Sequence, residues 1–117
     1  MIDLQGKNIY LPRGDTGMLK FSSHGDYVLT NKDVVLFTVT CRGKPVIELY
    51  MTPYDSSVII EFTSDMTKDL PIDLYYYDIR IILDAEFDEE DNLIQGIQID
   101  TPYKDCEFNL LSTEGEL

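Results

Sequence analysis

The stretch Leu74-Tyr75-Tyr76-Tyr77-Asp78-Ile79-Arg80-Ile81-Ile82-Leu83-Asp84-Ala85-Glu86-Phe87 decides the fold class. Its odd positions, Tyr75, Tyr77, Ile79, Ile81, Leu83, Ala85 and Phe87, are all apolar or aromatic, while Asp78, Arg80, Asp84 and Glu86 stand among the even ones. A side-chain period of two means a strand with one buried and one wet face. A helix would repeat its apolar residues every 3 or 4 positions instead. The run is long for a strand, and it ends in the acidic stretch 84–91, where six of eight residues are Asp or Glu. Such a stretch reads as the tip of a solvated hairpin.

Outward from that strand, the composition agrees. The 117 residues include one alanine, Ala85, against 27 Val, Ile and Thr. Alanine is the best helix former, and β-branched side chains fit the pleated surface of a sheet. Further strands are predicted at 8–11, 18–22, 34–42, 46–51, 57–63, 92–100 and 105–111. Turn chemistry separates them at Pro12-Arg13-Gly14-Asp15, Thr30-Asn31-Lys32-Asp33, Arg42-Gly43-Lys44-Pro45 and Pro53-Tyr54-Asp55. Residues 64–70 suit a single helical turn, with Ser64 as its cap and Pro71 as its stop. A chain of this length makes one domain, taken as residues 1–117. The expectation is an all-β, immunoglobulin-like antiparallel β-sandwich of about 7–8 strands, with a small β-barrel as the alternative. The Cys…Trp…Cys signature of antibody domains is missing, because the chain has no Trp.

Charge narrows the partners. Nine Lys and Arg face 22 Asp and Glu, a net charge of −13. That balance argues against nucleic acid, whose phosphates need a basic surface, and against anionic lipid. Residues 1–60 carry six basic and six acidic side chains, whereas residues 61–117 carry three and sixteen. The whole excess therefore belongs to the second half of the chain. No export signal opens the sequence and no apolar run reaches membrane length, so cytoplasmic synthesis is expected. Cys41 and Cys106, outside any CxxC pair, are expected to be buried thiols rather than a disulfide.

Residue patterns that carry chemistry are weak. His24, the single histidine, lies in Ser22-Ser23-His24-Gly25-Asp26, a polar stretch of loop character. Triad members must converge from separate elements opposite an oxyanion hole, and adjacency in a loop does not supply that. Asp84, Glu86, Asp88 and Asp91 are weak candidates for calcium, which takes six to eight oxygen ligands, but the run lacks the alternating acids and central Gly of a helix–loop–helix site. Arg13-Gly14-Asp15 reads as a turn rather than an adhesion signal. Tyr10, Tyr54 and Tyr76 are the candidate partner contacts, since an exposed tyrosine offers an apolar ring and a polar tip. No pattern calls for a cofactor or assigns a catalytic residue, and the chain is expected not to be an enzyme.

Two segments carry a family likeness. One runs from Ile9 through Arg13-Gly14-Asp15-Thr16 to Phe21 and on to Asp33-Val34-Val35-Leu36-Phe37-Thr38-Val39. The other is Thr63-Ser64-Asp65-Met66-Thr67-Lys68-Asp69-Leu70-Pro71, leading into Tyr75-Tyr76-Tyr77-Asp78-Ile79-Arg80. Together they resemble the small immunoglobulin-like domains of phage and prophage structural regions in Gram-positive bacteria, above all the N-terminal domains of upper baseplate proteins. The resemblance implies a non-enzymatic virion component that assembles with other phage structural proteins and with copies of itself. From another class comes the alternative, a small sandwich that binds carbohydrate or calcium through the acidic hairpin.

Overall fold

The computed structural model describes residues 2–22, 29–90 and 93–112, with backbone alone at 94 and 97–102. Eight strands and one helical turn follow in order: β1 Asp3–Gln5, β2 Asn8–Pro12, β3 Gly17–Ser22, β4 Val34–Cys41, β5 Lys44–Met51, β6 Ser57–Phe62, α1 Ser64–Thr67, β7 Leu74–Phe87 and β8 Leu93–Leu111. They form two sheets, one ordered β1-β2-β8-β7-β4-β5 and the other made of β3 and β6. The sheets stay separate and do not close on each other, so the architecture is an all-β sandwich and not the small barrel.

The connectivity follows the immunoglobulin pattern. β8-β7-β4-β5 corresponds to the G-F-C-C′ sheet and β3-β6 to the B-E pair opposite it. One departure from an all-antiparallel sheet is β2, which joins β8 in parallel, with Ile9 opposite Phe108 and Leu11 opposite Leu110. Here chain ends distant in sequence lie side by side, a pairing that alternation within either strand does not reveal.

β7 has the bounds the sequence predicts, and its odd residues Tyr75, Tyr77, Ile79 and Ile81 are buried. The core gathers Val35, Phe37 and Val39 of β4, Ile60 and Phe62 of β6, and Phe108 and Leu110 of β8 around them. Where an antibody domain carries a disulfide packed on Trp, this one has crossed rings: Phe37 lies 5.6 Å from Phe62 and 5.5 Å from Tyr77, and Phe62 lies 5.7 Å from Phe108. Cys41 and Cys106 are free thiols, half-buried rather than buried as expected. They lie on β4 and β8 with β7 between. Two strand spacings, about 9.5 Å, exceed the ~7 Å that a disulfide spans.

The last two predicted strands are one. β8 runs through Pro102 without ending, because its extra residues become bulges against β7. Ile79 opposes Tyr103 but Ile81 opposes Asp100, so three residue steps on β8 answer two on β7 across Pro102. A bulge tolerates the missing N–H of proline and sharpens the local twist. β4 stops pairing with β7 at Val34–Ile82. Beyond that point β7 and β8 continue as a two-stranded arm with the acidic run at its end.

Candidate functional site

The motifs behind the family likeness meet in space, and their work is structural. Gly14, at φ 78°, donates its N–H to Thr67 Oγ1 at 2.8 Å. Thr67 is fully buried. Arg13 donates from Nη1 to the Leu70 carbonyl at 3.3 Å and from its backbone N–H to the Leu111 carbonyl at 2.8 Å. The Tyr75 hydroxyl donates to the Pro71 carbonyl at 2.6 Å, the tyrosine corner that opens strand F of immunoglobulin-like domains. Arg13-Gly14-Asp15-Thr16 thus pins the β2–β3 turn to the α1 corner. With its guanidinium turned onto Leu70, it is not a presented adhesion loop. The cap of α1 is Thr63 rather than Ser64, and its N–H donates to Met66 Sδ at 3.3 Å.

Two of the three candidate tyrosines share a surface. Tyr10 opposes Asn109, which in turn opposes Leu74 across β8. Tyr76 opposes Glu107 on one side and Thr40 on the other. Their even positions turn them to the outer face of the six-stranded sheet, away from the core. Tyr76 is 40% exposed, Leu74 42% and Leu111 41%, while Tyr10 is half-buried. Sequence reasoning missed Leu74 and Leu111. Their signal is an apolar residue at a position out of phase with the buried face.

Tyr54 stands apart, 86% exposed. It exchanges backbone hydrogen bonds with Ser57 at 2.8 and 3.1 Å around Asp55 and Ser56, whose φ values are 53° and 58°. Two successive positive φ values make a type I′ turn, so Tyr54 opens a tight turn in the connection from β5 to β6, closed by an isolated bridge to Ser57.

The acidic residues line the arm and do not converge. Asp84, Glu86, Asp88, Glu89 and Glu90 are exposed, and among the described residues no three His, Cys, Asp or Glu side chains are grouped to hold a metal ion. Asp91 and His24 lie outside the described residues. Asp84, at φ 49°, sits in a bulge. Its N–H donates to Asp33 Oδ1 at 3.2 Å, while Asp33 Oδ2 accepts from the Thr30 N–H at 2.8 Å. Buried Asp33 therefore ties the root of the arm to the preceding loop. Farther out, Phe87 meets Tyr50 of β5 edge to face at 5.4 Å, folding the arm against the sheet's outer surface. Beneath them Val34, Tyr50, Thr52 and Phe87 line a shallow notch of about 290 Å³. Among the described residues no helix is long and apolar enough to cross a membrane.

Strand order and the tyrosine corner define an immunoglobulin-like β-sandwich. No family model, curated protein or solved structure matches the chain.

Proposed function

We propose that this domain is a non-enzymatic interaction module that docks on another protein through the outer sheet face carrying Tyr10, Leu74, Tyr76 and Leu111. The observation that carries this reading is the exposure of large apolar side chains there, with Asn109 and Glu107 between them as hydrogen-bonding groups. Aromatic anchors beside polar groups make productive contact surfaces. The acidic tip lies toward the other end of β7: Tyr76 is near the start of that strand and Phe87 at its end. Docking at the tyrosine end thus leaves the carboxylates of the acidic run in water, and Glu107 is the one carboxylate named on the docking face.

The finer reading is a phage or prophage component of tail or baseplate type, made in the cytoplasm and built into a virion with other structural proteins and copies of itself. The resemblance in Arg13 to Thr16, Asp69 to Pro71 and Tyr75 to Ile79 supports it. The test begins at the locus: capsid, portal or tail genes beside this one agree with the reading, and a metabolic operon contradicts it. The neighbouring tail proteins are then co-expressed with the domain. Complex formation is expected, and Tyr10→Ser with Tyr76→Ser should weaken it about 10- to 100-fold at an unchanged melting temperature. A complex indifferent to both changes would sink the face as the docking site.

A further inference from the structure

The two sheets differ greatly in width. Six strands span five spacings of about 4.8 Å, and the pair opposite spans one. On the β5 side this mismatch leaves inward-facing Leu49 and Met51 half-buried, although their neighbours Phe37 and Val35 on β4 are fully buried. The chain passes from β5 to β6 through residues 52–56, so both strands border the same open flank.

β6 has no second neighbour among the described residues. Ser57 turns its N–H and C=O to Tyr54, on the side away from β3. Strand alternation then aims the N–H and C=O of Ile59 and Glu61 to that same side, while Val58, Ile60 and Phe62 bond to β3.

Other edges are guarded. β1 is three residues long, and β5 carries Lys44, Pro45 and a register shift. β3 carries Lys20, and the N-terminal segment packs on its inward face: Ile2 Cγ2 lies 2.7 Å from where a Cβ on Gly17 would stand, and Leu4 shares a crevice with Leu19 and Phe21. Against these, Ser57-Val58-Ile59-Ile60-Glu61-Phe62 holds no Pro, Gly or Lys, and Ile59 is 58% exposed.

We infer that the β6 edge takes an added β-strand from a partner protein, an extended segment of alternating apolar and basic residues. Its apolar side chains cover Leu49 and Met51 and extend the core, and its main chain pairs with Ile59 and Glu61. Its basic side chains lie outward beside Glu61, in the field of a domain of net charge −13. Charge selects the occupant, because a second copy would bring another −13 to the same edge. Tyr54 stands at the mouth of this flank, which gives the third candidate tyrosine a place in recognition. The surface is separate from the face carrying Tyr10 and Tyr76, so either reading can fail while the other stands.

The test uses a blocked heptapeptide of alternating valine and arginine, added to the full chain while amide exchange is followed by NMR. Exchange at Ile59 and Glu61 should slow at least about tenfold, with little change at Ile60, already bonded to β3. Glu61→Lys should weaken binding about fivefold, and Tyr10→Ser with Tyr76→Ser should leave it unchanged. Unaltered exchange at both amides would overturn the inference. So would equal affinity for a peptide of the same composition without alternation, or a dimer of the domain alone that protects these amides.

Discussion

Tyr75 and Tyr77 are adjacent members of one strand face, and both hydroxyls leave the core to meet a carbonyl. Tyr75 reaches Pro71 at 2.6 Å and Tyr77 reaches Lys7 at 2.5 Å. Burial holds both phenols above their ordinary pKa of 10.0, reinforced for Tyr75 by Cys41 and Asp73 and for Tyr77 by Cys106 and Tyr103. A raised folded-state pKa means that the native state keeps protons the unfolded chain gives up. What the two tyrosines contribute to stability is then level below pH 10 and falls as pH rises above it, by up to about 1.4 kcal/mol per pH unit for each tyrosine. Urea unfolding between pH 8 and 11.5 should trace that decline, and Tyr77→Phe should reduce its slope. Alternation in the sequence was enough to send Tyr75 and Tyr77 inward, since period two assigns a face to every residue. The corner hydrogen bond was not legible, because it depends on how the chain bends at Pro71.

At the scale of elements, the arm shows where reading stops. β7 was legible from end to end because its pattern is local. The single β8 was not: Pro102 resembles a break, and only pairing against β7 turns it into a bulge. The acidic tip was legible as solvated, yet the device that anchors its root was hidden, since Asp33 reads as an ordinary turn residue. In the fold its buried carboxylate accepts from Thr30 N–H, Thr30 Oγ1 and Asp84 N–H. Asp33→Ala strands two backbone donors that the carboxylate now satisfies, and should cost about 2–3 kcal/mol. Exchange of the Asp84 and Ala85 amides should accelerate beyond this global loss, because Ala85 N–H also bonds to the same loop, at the Lys32 carbonyl. Equal acceleration at every amide would mean that Asp33 stabilises the sandwich as a whole and not the arm.

Across the molecule as a whole, six of the sixteen acids of the second half of the sequence lie in the two middle strands of the larger sheet, β7 and β8. β7 and β8, from the acidic half of the sequence, lie between β2 and β4, from the neutral half. Segregation along the chain therefore becomes interleaving in space, and the partition of charge that the sequence displays gives no charged hemisphere. Three of the cations answer part of it: Lys68 pairs with Asp65 at 2.8 Å, Arg80 with Asp78 at 3.6 Å and Arg42 with Asp73 at 3.7 Å. With 22 acids against nine bases, most carboxylates have no cation to meet, and repulsion among them opposes the compact state. Sodium chloride shortens the Debye length from ~30 Å at 0.01 M to ~3 Å at 1 M and screens that repulsion. The melting temperature should therefore rise with salt across this range, by roughly 5 °C for each ~1 kcal/mol relieved. Scanning calorimetry in sodium chloride measures it, and a flat or falling curve would show that the fold has already dispersed its charge. The same titration should act oppositely on a basic strand at β6, whose attraction to the domain is screened while its apolar and main-chain contacts persist. Salt that stabilises the domain yet loosens its partner separates the two roles of the same carboxylates.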